Sequence, residues 1–188
     1  MVKKVGIIGY GSIGKEIIAA AKREEIPNAK IVALFDKEPQ VISSAGQDNA
    51  ELHLFSDFNK FYESPVYSSL DIIIECASKD AVREFSKRII ESKKDLLVLS
   101  VGGFSDQKFL SELQDLSILN NAKIWIPTGA IAGLDSIRSV RKYLDGLTIT
   151  TTKHPKSFAG APYFKNSKIK LDDISKETVL FEGSAITA

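Results

Sequence analysis

Residues 2–8 form a short β-branched run that ends in Gly9-Tyr10-Gly11-Ser12-Ile13-Gly14, and an alanine-rich amphipathic stretch follows without a gap. A buried strand that turns through spaced glycines straight into a helix is the start of a βαβ unit, which leaves few folds open. Each glycine has its own expected task. Gly9 bends the chain, Gly11 admits a ligand close to the backbone, and Gly14 lets the helix pack tightly on the strand. Between residues 12 and 23 the apolar Ile13, Ile17, Ile18 and Ala21 share one helical face. The first amides of such a helix are unpaired donors at the positive end of its dipole, an arrangement suited to phosphate.

Pro27 and Asn28 close this segment, and residues 30–35 read as a second strand ending at Asp36. Asp36 stands about 20 residues after the turn, where an acid meets the ribose hydroxyls of an adenine dinucleotide. A carboxylate there repels a 2′-phosphate and favours NAD, while Lys37 beside it keeps NADP open. Residues 40–52 suggest a helix and Leu54-Phe55 a short strand. Tyr62, Pro65 and Tyr67 suggest a surface connection, and His53 a surface or helix-end histidine.

Asp71-Ile72-Ile73-Ile74-Glu75-Cys76-Ala77-Ser78 is a buried strand opening into small polar residues at its carboxyl end, where ligands of open parallel sheets sit. Cys76, Ala77 and Ser78 are therefore placed along the cofactor groove. Ser78 is the better candidate to line it, and the Cys76 thiol is better suited to packing than to reactivity. Residues 79–92 have helical spacing. Residues 95–101 form a further strand ending in Ser100-Val101-Gly102-Gly103. A double glycine there implies close backbone approach, either to the nicotinamide side of a cofactor, which is favoured, or to a neighbouring loop. Ser105-Asp106 caps a helix through about residue 119, and residues 123–127 close the alternation. Residues 147–153 read as a half-exposed threonine-rich strand, 172–177 as a short helix and 178–181 as another strand.

A formal net charge of +1 gives no bias toward nucleic acid or an anionic membrane, and 44% hydrophobic content suits a globular protein. A single cysteine forms no internal disulfide, which is compatible with a reducing cytosol without establishing it. No metal-ligand spacing, transmembrane span or signal peptide is expected.

Taken together, the motifs resemble the L-aspartate dehydrogenase family. The resemblance rests on the glycine turn, Glu75-Cys76-Ala77-Ser78, Leu99-Ser100-Val101-Gly102-Gly103, and above all Pro127-Thr128-Gly129-Ala130-Ile131-Ala132-Gly133-Leu134-Asp135. Leu180-Phe181-Glu182-Gly183-Ser184-Ala185 matches a further family stretch. The last-but-one loop would otherwise read as a crowded helix start. The resemblance implies NAD(P)-dependent oxidation of L-aspartate to iminoaspartate, which gives oxaloacetate and ammonia or feeds NAD biosynthesis. It implies a cytoplasmic homodimer or larger homo-oligomer. Gly9, Gly11, Ser12, Ile13, Gly14, Asp36, Lys37, Cys76, Ala77, Ser78, Ser100, Val101, Gly102 and Ala130 are the expected cofactor contacts. Thr128, Gly129 and Lys153 are the expected substrate contacts, a solvated surface lysine being the alternative for Lys153.

The family pattern has a proline where this chain has His154. The family's catalytic histidine lies in a segment beyond Ala188, so the catalytic residue is unknown and is not assigned to His53 or His154. The expected fold is α/β, a Rossmann-type doubly wound parallel sheet over residues 1–127. A second, incomplete α+β domain for substrate and dimerisation is expected over 128–188. A non-catalytic NAD-binding or partner-binding homologue, and a related dehydrogenase for another amino acid or semialdehyde, are the alternatives.

Overall fold

A computed structural model describes residues 2–129, 131, 133–158 and 169–184. The chain divides into two units, Met1–Ala132 and Gly133–Ala188.

The first unit alternates strand and helix: β1 Lys3–Ile8, α1 Ser12–Lys22, β2 Ala29–Phe35, α2 Pro39–Asp48, β3 His53–Phe55, α3 Phe58–Tyr62, α4 Pro65–Ser68, β4 Ile72–Glu75, α5 Lys79–Glu91, β5 Asp95–Val98, α6 Gln107–Asn120 and β6 Ile124–Trp125. The strands form one six-stranded sheet in the order β3-β2-β1-β4-β5-β6, with every pair parallel. This is the doubly wound order, and its switch point lies between β1 and β4. Those two strands finish level, with Ile8 opposite Glu75.

Successive side chains of a strand point to opposite faces, so β1 feeds two core layers. Ile7 packs with Ile18, Leu34, Ala45 and Cys76, and Ile8 packs with Phe35, Phe61, Ile73 and Phe85 on the other side. Helix ends are set by side chains where the sequence offers them: Ser78 caps α5 by accepting from the Ala81 amide, and Asp106 caps α6 by accepting from Lys108 and Phe109.

Residues 58–68 are not the surface connection their aromatics suggested. Asp57 and Ser64 cap two short helices, and Phe61 and Tyr67 point inward, Phe61 with no exposed surface. The Phe61 ring lies 6.1 Å from Phe35 and 5.1 Å edge-on from Tyr67. Helices this short carry no period that a sequence can display, whereas the tertiary aromatic cluster fixes them. His53 lies exposed on β3.

The second unit contains α7, Leu134–Val140, followed by 3₁₀ turns at Arg141–Tyr143, Pro155–Phe158 and Leu171–Asp173. The strands expected at 147–153 and 178–181 are not formed, and the helix expected at 172–177 is only the turn at Leu171–Asp173. A strand exists through its hydrogen-bonded neighbour, and no strand is described in this unit to pair with. No described helix is long and apolar enough to cross a membrane.

Replacing Phe61 by Ala is expected to lower unfolding free energy by about 3–5 kcal/mol. Ile118→Ala, at a helix position 79% exposed, should change it by less than about 0.5 kcal/mol. Urea denaturation of both variants checks the contrast.

Candidate dinucleotide-binding site

The carboxyl ends of β1, β2, β4 and β5 carry most of the expected cofactor residues. Gly9 continues β1 by donating its amide to the Phe35 carbonyl at 2.8 Å, then turns with φ +101°. A Cβ on Gly9 would lie 2.7 Å from Ala77 Cα, and one on Gly14 would overlap the Gly9 carbonyl and approach Cys76 Sγ to 3.2 Å. A Cβ on Gly11 would meet nothing within 4 Å. Two glycines of the motif therefore serve packing within the protein, and Gly11 faces open space.

Gly11 is also the N-cap of α1, with no side-chain cap and no acidic residue in the first turn. Ser12 is exposed, and so is Ile13 at 53%. Ile13 thus departs from the packed face expected for it. Gly14 makes the close contact with the turn, and Ile18 is the isoleucine that reaches the core. The uncapped amides and the free side of Gly11 fit a pyrophosphate.

Asp36 ties β2 to this turn. Its Oδ2 accepts from the Tyr10 amide at 2.8 Å and its Oδ1 from the Glu38 amide at 3.0 Å. Each oxygen has further acceptor capacity for ribose hydroxyls. Lys37 beside it is exposed. Tyr10, which the motif leaves as an arbitrary residue, is buried, and its hydroxyl accepts from Asn49 Nδ2 at 2.9 Å. Lys15 Nζ lies 5.3 Å from the Tyr10 ring centre. A groove of about 220 Å³ between α1 and α2 is lined by Tyr10, Lys15, Gln40, Val41 and Ser44.

Across the switch point, Ala77 and Ser78 are exposed after β4. The Cys76 thiol turns under the glycine loop, donating toward the Ile8 and Gly9 carbonyls at 3.4 and 3.3 Å. Burial, reinforced by the charges of Glu75 and Asp36, pushes its pKa up to about 12. Glu75, which is not among the expected site residues, is buried and accepts hydrogen bonds from Ala77, Ser78 and Ser100. In the sequence it is marked as the acid closing an Ile-Ile-Ile run and as the first residue of the Glu75-Cys76-Ala77-Ser78 stretch.

After β5 a 3₁₀ turn spans Val101–Phe104. Here the two glycines part: Gly102 is open, whereas a Cβ on Gly103 would lie 2.6 Å from Val82 Cβ of α5. Gly102, the glycine expected at the cofactor, has open space, and the close backbone approach at Gly103 is to α5. Thr128 and Gly129 are exposed beyond β6, with Gly129 at φ +63°. Ala130 lies outside the described residues. Lys153 is exposed in the second unit, where His154 Nδ1 accepts from the Lys156 amide at 3.2 Å. No metal-holding group of His, Cys, Asp and Glu occurs among the described residues.

Gly11→Ala should leave thermal stability nearly unchanged yet weaken NADH binding by about 10-fold or more, because the methyl enters the ligand's space. Gly14→Ala should instead lower stability itself. Fluorescence titration beside a thermal melt separates them. The neutral Cys76 thiol contributes stability below its ordinary pKa of 9.0, and that contribution is lost as pH rises toward about 12. Urea unfolding should show wild type losing stability relative to Cys76→Ala over that window and not below it.

Comparison with known proteins agrees with this geometry. Residues 9–127 match the family described as homoserine dehydrogenase, NAD binding domain. Residues 135–188 match aspartate dehydrogenase, C-terminal. The L-aspartate dehydrogenase of Nitrosopumilus maritimus is 35% identical over 97% of this chain and 66% of its own length. That of Methanococcoides burtonii is 37% identical over 98% and 67%. The chain thus spans about two thirds of the length of these curated relatives. The crystal structure of aspartate dehydrogenase from Thermotoga maritima superposes with a TM-score of 0.68 at 28% identity, covering 100% of this chain and 66% of that one. The WlbA dehydrogenase of Bordetella pertussis, solved with NADH, shares the fold at a TM-score of 0.58 and 12% identity over 76% of this chain and 42% of that one. With a dinucleotide-binding sheet in its first unit and the aspartate dehydrogenase C-terminal match in its second, the chain belongs to the L-aspartate dehydrogenase family.

Proposed function

We propose that this chain serves NAD(P)-dependent oxidation of L-aspartate to iminoaspartate, which hydrolyses to oxaloacetate and ammonia or passes to NAD biosynthesis. The observation that carries the reading is 35–37% identity to L-aspartate dehydrogenases along nearly the whole chain. Open space at Gly11, the uncapped start of α1 and the Asp36 carboxylate support it from the site.

The dinucleotide supplies a hydride acceptor at its nicotinamide ring. The chain's residues bind and orient around that chemistry. The amides of Gly11, Ser12 and Ile13 hold pyrophosphate. Asp36 receives the ribose hydroxyls and favours NAD over NADP by charge repulsion of a 2′-phosphate. Ala77, Ser78, Ser100, Val101 and Gly102 line the nicotinamide half; the proposed substrate contacts are Thr128 and Gly129 in the first unit and, by itself in the second, Lys153. Lys153 brings a cation that suits a dicarboxylate. The reading includes a cytoplasmic homo-oligomer, supported by the exposed apolar side chains of Trp125 and Ile126.

Steady-state assays with L-aspartate and NAD or NADP, and with oxaloacetate, ammonia and NADH, test the activity. Turnover with aspartate, faster with NAD than with NADP, is expected. Asp36→Ala should narrow that difference by about 10-fold. NAD binding without turnover on aspartate would remove the aspartate-oxidising reading, and a panel of other amino acids and semialdehydes would then separate a related dehydrogenase from a binding module.

A further inference from the structure

Glu75 is the only charged side chain buried among the described residues, at 1% exposure. A carboxylate is costly to bury unless its lone pairs are met, and the β4 ladder needs only its backbone. The side chain is used elsewhere. Oε1 accepts from the Ala77 and Ser78 amides at 2.8 and 2.9 Å and from Ser100 Oγ at 2.9 Å. Oε2 accepts from the Ser100 amide at 3.1 Å. One carboxylate thus joins the loop after β4 to the loop after β5, on the side of the switch point that holds the second mononucleotide of a dinucleotide.

We propose that Glu75 is a positioning residue for the nicotinamide half of the cofactor: it fixes the loop carrying Ser100, Val101 and Gly102 against the loop carrying Ala77 and Ser78. It touches neither cofactor nor substrate and acts through the amides it orients. The proposal rests on the dinucleotide reading of the site, and not on aspartate as the substrate.

Glu75→Gln separates this role from plain stability. Its carbonyl keeps the three bonds of Oε1, since the reverse orientation would set its NH₂ against two amide donors. The NH₂ then faces the Ser100 N–H, donor against donor, so the β5 loop alone is loosened and keeps only its Ser100 hydroxyl bond. Calorimetry on the purified chain with NADH and with ADP, whose binding needs only the adenosine half, reads the difference. The expected result is NADH binding weakened about 10-fold or more with ADP binding changed less than about twofold. Glu75→Asp, which keeps the charge but is one methylene too short to hold both loops, should give the same selective loss and decides the matter if Glu75→Gln does not fold. Equal losses for NADH and ADP, or unchanged NADH binding, would overturn the positioning role. A wild-type chain that binds neither ligand would instead overturn the dinucleotide reading itself.

Discussion

The close approach of the β1 turn to the β4 loop is the constraint on which the rest of the site depends. Gly9 has no room for a side chain because Ala77 occupies that space, and Gly14 none because α1 sits on the Gly9 carbonyl. With both contacts made, β1 and β4 end level across the switch point. The start of α1 is then left facing outward with its first amides uncapped. Packing inside the turn is thus what leaves Gly11 open outside it.

Polar groups beneath that surface are arranged so that each charge has a fixed set of donors. Asp36 holds the outer edge of the turn through the Tyr10 amide, and Glu75 holds the loops on the far side. Between them the Cys76 thiol stays neutral, because burial and both neighbouring carboxylates disfavour a thiolate. A neutral donor at Cys76 suits the Ile8 and Gly9 carbonyls it meets, so the electrostatics reinforce the packing.

Much of the first unit was legible because its signals are local. Apolar runs bounded by glycine or acid mark β1, β2, β4 and β5, and Asp106 stands where a helix cap belongs. What was not legible depends on partners distant in sequence. Phe61 and Tyr67 are ordered by Phe35 and by each other. Gly103 answers to Val82, and a glycine pair reads the same whether it admits a cofactor or a helix. Tyr10 occupies a position that the motif leaves free, and Glu75 shows its purpose only once Ser100 is brought beside it. The alternation at 147–153 indicated a strand, but alternation specifies only which face is apolar and cannot supply the neighbour that makes a ladder.

The most direct test of the central claim is an amide-resolved NMR titration of this chain with NAD. Saturable shifts are expected at Gly11, Ser12 and Ile13, at Ala77 and Ser78, and at Ser100, Val101 and Gly102, while the β6-side helix surface around Ile118 stays still. Shifts confined to other surfaces, or none at saturating NAD, would contradict a dinucleotide site built on the contact between the β1 turn and the β4 loop.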